Sequence, residues 1–299
     1  MNKKVMIGID MGGTKIMTGI IDLAGNILGT PVKIPTRGND PADIIMNRIY
    51  NSVRETLANA KLSIDDITGI GIGSTGPLSI KNGTILDCPQ LPTMNHFPIR
   101  AEAEREFNVP VYLNNDANCL IYGETIFGSA TGKQSVLGFT LGTGIGCAIV
   151  LGGKIWNGAT ETAGEIWTSP YKGGTIEDYV SGSGVSKIYK QLAGKQKSSH
   201  EIFKLAEKGD GKALQTWIEF GEHLAVAISW TTNLFDPELI VLGGSITGAA
   251  DYFMPSLERT FQKFICSEPA EKTKIVLAQL GDYAGFIGAA CLVLNHESK

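Results

Sequence analysis

Both halves of the chain open in the same way: a short apolar run, a glycine-rich turn, and a second apolar run that returns. Residues 5–9 read as a buried strand and 16–23 as its partner, and Ala24-Gly25-Asn26 turns the chain back into 27–33. This predicts a three-stranded meander. After Asp40-Pro41 the period changes, and Ile44, Ile45, Ile49, Val53 and Leu57 recur at helical spacing. A strand at 67–72 follows, then a hairpin over 77–85 with Asn82-Gly83 at its tip, a helix near 99–107 and a strand at 109–113. The second half repeats the scheme. Strands at 135–141 and 147–151 flank a glycine turn, and Gly152-Gly153 returns the chain into 154–156. A helical stretch at 213–234, a strand at 239–242, a helix at 252–265, a strand at 274–277 and a closing apolar helix at 284–294 complete it. Meander, helix, strand, helix, strand therefore occurs twice. Two such α/β units predict two lobes around a central cleft, joined near residues 127–133. The first lobe is expected to span 1–130, completed by the closing helix at 284–299, and the second 131–283.

The two glycine turns carry the first chemical signal. One reads Asp10-Met11-Gly12-Gly13-Thr14-Lys15, the other Leu141-Gly142-Thr143-Gly144-Ile145-Gly146. A turn of this composition has no side chains on its inner wall, so its backbone N–H groups can crowd a phosphate. Facing copies would hold a polyphosphate from both sides. In the first copy Asp10 is placed to hold hydrated Mg²⁺, and Thr14 and Lys15 to reach phosphate oxygens. The second copy has Thr140 where the first has Asp10, as expected if one magnesium serves one nucleotide.

Composition narrows the partners. The 299 residues are 43% apolar and 19% charged, with a net charge of −4 and no Lys/Arg block, which argues against nucleic acid and anionic membrane. Met1-Asn2-Lys3-Lys4 leads straight into a strand, so no leader is expected, and no apolar stretch is long enough for a membrane span. Cys88, Cys119, Cys147, Cys266 and Cys291 are scattered within apolar runs, which predicts buried free thiols and a cytoplasmic protein. The four histidines have no ligand spacing.

Several familiar patterns fail. Gly71-Ile72-Gly73-Ser74-Thr75-Gly76 matches a dinucleotide fingerprint, but a hairpin follows where a helix is required. Gly128 to Lys133 resembles a P-loop one residue short, with Gln134 in place of Ser or Thr. Neither a GxSxG elbow nor an HExxH helix occurs. Asn114-Asn115-Asp116-Ala117-Asn118 ends a strand and enters a helix that continues to Glu124. It reads equally as an N-cap and as a site in which Asp116 is the general base for a hydroxyl attacking a γ-phosphate. Gly243-Gly244-Ser245 reads equally as a backbone pressed against a flat base and as a plain strand–helix junction.

In order and spacing these segments resemble the ROK family of sugar kinases and repressors along essentially the whole chain. The matching stretches are Gly8 to Lys15, Asn115-Asp116-Ala117-Asn118 with Glu124, Leu141 to Gly146, Ala163-Gly164-Glu165-Ile166, Ile176 to Gly182, and Val241-Leu242-Gly243-Gly244. The resemblance implies an actin-like, ribonuclease-H-type ATPase fold and ATP-dependent phosphorylation of a sugar hydroxyl, the 6-OH of a hexose or N-acetylhexosamine. It implies Asp116 as catalytic base and Gly76, Asn115, Glu165 and Glu177 at the sugar. It places Asp10, Gly12, Gly13, Thr14 and Lys15 at one phosphate motif, Gly142, Thr143 and Gly144 at the second, and Gly243 and Gly244 at the adenosine. It also implies a homodimer. The alternative it leaves is a non-catalytic sugar sensor; direct DNA repression is not expected, because only Met1 to Lys4 precede the first strand. The chain departs from the family after Glu165. Where the family has a glycine, a histidine and three zinc-binding cysteines, this chain has Trp167, Thr168 and a short loop to Glu177, so zinc is not expected. Trp167 is expected either to stack on an apolar sugar face, with Pro170 and Gly173-Gly174 stiffening the loop, or to pack in the core.

Overall fold

The repeated pattern folds as two five-stranded sheets with one strand order. In the computed structural model, which describes residues 5–266, 268 and 270–297, the elements run β1 (Val5–Met11), β2 (Lys15–Asp22), β3 (Ile27–Pro35), α1 (Ala42–Ala60), β4 (Ile67–Ser74), β5 (Leu78–Ser79), β6 (Thr84–Ile85), α2 (Ile99–Phe107), β7 (Val111–Asn115), α3 (Asp116–Phe127), β8 (Ser135–Leu141), β9 (Ile145–Leu151), β10 (Lys154–Ile155), β11 (Pro170–Tyr171), β12 (Gly174–Thr175), α4 (Gly182–Ala193), α5 (Ser199–Ala206), α6 (Gly211–Phe235), β13 (Leu239–Gly243), α7 (Ala250–Phe264), β14 (Lys274–Leu277) and α8 (Ala284–Glu297). The sheets are ordered β3-β2-β1-β4-β7 and β10-β9-β8-β13-β14. In each, an antiparallel meander is extended by two parallel strands reached through helical crossovers. The chain divides into two compact units, one of residues 1–132, 157–161 and 278–299, the other of 133–156 and 162–277.

In the first unit one sheet face carries Ile7, Ile9, Met11, Ile70 and Ile72 into a core with Ile45, Ile49 and Val53 of α1. The opposite face is floored by glycine. Gly8 pairs with Gly19 on one side and Gly71 on the other, which makes a row of three across adjacent strands. Helix α8 lies on this row so closely that a Cβ on Gly8 would strike the Phe286 carbonyl and one on Gly71 the Ala289 carbonyl. This accounts for the first glycine of the GxGxxG string: Gly71 admits a helix some 200 residues away in sequence, Gly73 packs against Cys119 of α3, and no helix follows the string directly.

The second unit packs α6 and α7 through Trp217, Phe220 and Phe253, whose rings meet edge to face or tilted. Full burial of each such ring contributes about 1.5–3 kcal/mol. Patterning of the sequence offers no element between 156 and 213, yet the β11–β12 hairpin, α4 and α5 lie there. The α4 signal is weak because its first turn is Gly182-Ser183-Gly184 and only Ser181, the cap, announces it. One cysteine differs from expectation: Cys266 is exposed, while the other four thiols are buried.

Candidate active site

In the first unit the candidate residues gather at the C-terminal ends of β1, β4 and β7, where open α/β sheets bind ligands. Asp10 stands opposite Gly73, and Ser74 opposite Asn115. The glycine turn closes with Gly12 N–H donating to the Lys15 carbonyl (3.0 Å). Thr36 braces it, its hydroxyl donating to the Gly12 carbonyl (2.6 Å) and its N–H to the Thr14 carbonyl (2.9 Å). Gln90 presses on the other side, its Cβ only 2.7 Å from where a Cβ on Gly13 would sit. Thr14 and Lys15 face solvent. Burial pushes the Asp10 carboxyl above its ordinary pKa, and the Lys15 ammonium 3.9 Å away opposes that shift. Gly285 in the first turn of α8 lies under Asp10, so the carboxylate rests at a helix N-terminus, where anions are favoured.

Asn115 and Asp116 form the junction of β7 and α3. Asn115 caps the helix, its Oδ1 accepting the Ala117 N–H at 2.9 Å, and Asp116 Oδ1 accepts the same N–H at 2.8 Å. Asn118 Nδ2 donates to Asn114 Oδ1 (2.9 Å) and to Asn157 Oδ1 (3.2 Å), which holds the junction from behind. The cap does not exhaust the cluster, since Gly76 lies alongside, its Cβ position 3.6 Å from Asn115 Nδ2. Gly76, Asn115 and Asp116 are thus brought together. Glu124 is not part of this group. It is fully buried one face away, where Oε2 accepts the Ser129 N–H (2.8 Å) and Oε1 the Gln279 and Leu280 N–H groups (2.8 and 2.7 Å).

In the second unit Gly142 N–H donates to the Gly144 carbonyl (3.0 Å), and Gly182 N–H, at the start of α4, donates to the Gly142 carbonyl (2.8 Å). The second glycine turn therefore abuts a helix N-terminus, a site that favours phosphate. Gly243 pairs with Thr140, and Gly244 (φ +90°) turns so tightly against Leu141 that a side chain there would meet its backbone. Turn 142–144 and Gly243-Gly244 are therefore neighbours. Glu177 joins them, with Oε2 accepting the Ile145 N–H at 3.2 Å and packing against Gly144. Glu165 precedes a 3-10 turn over Ile166–Thr168 and faces Cys147, whose thiol burial pushes up to about 12 with the Glu165 charge adding. Trp167 is 42% exposed, which overturns the expectation that it packs in the core, and its indole N–H donates to Glu165.

The loop that departs from the family pattern closes on an aromatic knot. Tyr171 hydroxyl and His223 Nδ1 share a 2.9 Å hydrogen bond, Tyr179 packs edge-on against both rings, and its hydroxyl donates to the Lys172 carbonyl. Zinc does not fit here: the loop carries no cysteine, and no three His, Cys, Asp or Glu side chains converge among the described residues. Sequence reasoning missed Gln90, Asn157 and the α4 N-terminus. Only Ser181-Gly182 carried a local signal.

Comparison with known proteins fits this arrangement. The ROK family model matches residues 6–296. A glucokinase of Halalkalibacterium halodurans is 29% identical, with 100% of this chain and 98% of that protein covered. An N-acetyl-D-glucosamine kinase of Photobacterium profundum is 29% identical, over 95% of this chain and 98% of that one. A crystal structure of a ROK glucokinase from Streptomyces griseus in complex with glucose and AMPPNP has a TM-score of 0.81 at 27% identity, covering 97% and 99% of the two chains. The actin-like ATPase fold expected from the sequence is the fold of the chain. No helix among the described residues is long and apolar enough to cross a membrane.

Proposed function

The chain belongs to the ROK family and is an ATP-dependent sugar kinase, and we propose that it phosphorylates the 6-hydroxyl of a hexose or N-acetylhexosamine with Asp116 as general base. The observation that carries this reading is the β7–α3 junction, where Asp116 stands beside Asn115 and Gly76 at the strand ends that also bear Asp10. Asp116 accepts the hydroxyl proton as the sugar oxygen bonds to the γ-phosphorus and the bond to the ADP oxygen breaks. Asn115, Glu165 and Glu177 suit hydroxyls, whereas a carboxylate substrate would want arginine. Gly12, Gly13, Thr14 and Lys15 in one glycine turn, and Gly142, Thr143 and Gly144 in the other, are each suited to hold phosphate oxygens. Gly243 and Gly244 offer bare backbone to the adenosine. Mg²⁺ fits Asp10, a hard carboxylate beside the bare Gly12-Gly13 backbone. Held there through water, it would neutralise charge on the phosphates. The free thiols, four of them buried, and the use of ATP support a cytoplasmic location.

ADP release over glucose, N-acetylglucosamine, N-acetylmannosamine, mannose, fructose and allose tests the reading. Sugar binding without ADP release would favour the non-catalytic sensor. Asp116→Asn should lower kcat about 10²–10⁴-fold with sugar affinity little changed, and a fall below about tenfold would remove Asp116 as base. We also propose a homodimer, supported by an uncovered apolar face on α6. Trp230 and Leu234, 42% and 78% exposed, lie one turn apart, near Phe264 and the Trp156–Phe235 pair. Sedimentation should find a dimer that Trp230→Glu with Leu234→Glu dissociates; a monomeric wild type would rule it out.

A further inference from the structure

Trp167 touches both candidate sugar-binding glutamates, Glu165 at its carboxylate and Glu177 at its backbone. Its indole N–H donates to Glu165 Oε2, and its carbonyl accepts the Glu177 N–H at 3.3 Å. The backbone around Glu165 is already fixed. Gly164 (φ +87°) lies so close to the Cys147 carbonyl of β9 that no Cβ would fit, and the Ile166 N–H closes on the Gly164 carbonyl at 2.6 Å. What this leaves loose is the Glu165 side chain, which is exposed and has three rotatable bonds. A donor on one carboxylate oxygen fixes where the other oxygen points. Glu177 is held at both ends, by the Trp167 carbonyl and by the Ile145 N–H next to the second glycine turn. The run Glu165, Trp167, Glu177, Gly144 is therefore continuous from one carboxylate to the phosphate turn.

We propose that Trp167 is a positioning residue: it orients Glu165 and seats Glu177, so that both carboxylates meet the hydroxyls of a polyol in a pre-set geometry. The indole is 42% exposed and so lies outside the core, and its one polar atom is spent on Glu165. Preordering the acceptor removes the entropy that a free glutamate would lose when sugar binds. This rests on the kinase reading above, with Glu165 and Glu177 at the sugar.

The test is Trp167→Phe in the full-length enzyme, which keeps an aromatic ring and the main chain and removes the N–H together with the five-membered ring that bears it. With glucose and N-acetylglucosamine as probes, sugar KM should rise about tenfold, as for loss of a hydrogen bond to a charged group. ATP KM should stay within about twofold and the melting temperature near wild type, a split that general loss of structure would not produce. In a Glu165→Gln background the same substitution should add little further. A sugar KM within about twofold of wild type, an equal rise in ATP KM, or full additivity with Glu165→Gln would each overturn the proposal. If the wild type phosphorylates no hexose, the kinase reading fails instead. Calorimetric sugar affinity then decides Trp167 alone: weaker binding by the variant supports the proposal, and equal binding ends it.

Discussion

Glu124→Gln separates a residue that shapes the fold from one that serves the site, although both lie on one helix and in one sequence motif. Glu124 is fully buried and receives three backbone N–H groups, from Ser129, Gln279 and Leu280, at 2.7–2.8 Å. A glutamine of the same shape can keep Oε1 on Gln279 and Leu280, but its amide nitrogen then meets the Ser129 N–H donor to donor. Leaving that N–H unpaired costs about 1–3 kcal/mol. Replacing the carboxylate by a neutral acceptor weakens the other two bonds by about 1 kcal/mol each. Relief from burying a carboxylate returns part of this. The net loss is about 2–4 kcal/mol, and at roughly 2–4 °C per kcal/mol the melting temperature should fall by about 5–15 °C. Urea unfolding and calorimetry read it directly. At a temperature where the variant is folded, kcat and both KM values should stay within about threefold of wild type. A stability change under about 1 kcal/mol would refute the hydrogen-bond argument, and a collapse of kcat with stability intact would move Glu124 into the site.

Two further substitutions probe the supports of each unit. Gly285→Ala would set a methyl 2.7 Å from Asp10 Cγ; the carboxylate must shift, so kcat/KM for MgATP should fall roughly ten- to hundredfold with sugar KM little changed, and unaltered ATP kinetics would show that Asp10 position is immaterial. His223 is buried against Tyr171 and Tyr179, and burial first, then the Lys172 charge, lowers its pKa from 6.5 to about 4. The unfolded chain therefore binds the proton first as pH drops, so stability should be lost between pH 6.5 and about 4, by at most about 3 kcal/mol. In His223→Gln that component of the pH slope should vanish from urea unfolding curves, and an identical slope would exclude it.

Legibility followed the range of the interactions. The meanders, the crossover helices and both glycine turns announce themselves through period and turn composition, which act over a few residues. Gly71 was misleading locally because its partner, α8, lies far along the chain, and only the sheet register shows Gly8, Gly19 and Gly71 in one row. Glu124 sits in a recognisable motif, yet its partners at 279 and 280 are remote. Asn115 was legible as a cap, and the cap is there. The resemblance put its neighbour Gly76 at the same sugar, and the pairing of β4 with β7 brings the two side by side. Trp167 presented two options, core or sugar face, and the bond to Glu165 was in neither, since a side-chain contact two residues apart across a 3-10 turn leaves no periodic trace.

The glycine floor under α8 bears on how the protein is made. The first unit is interrupted in sequence, and β1 and β4 wait for their covering helix while residues 133–277 are synthesised. At about 5–20 residues per second that delay is roughly seven to thirty seconds. Through it the glycine row on that side of the nascent sheet lacks its covering helix, while the second unit is nearly continuous in sequence. Messages truncated before codon 284 should yield chains that aggregate, because the bare sheet face has nothing to bury it.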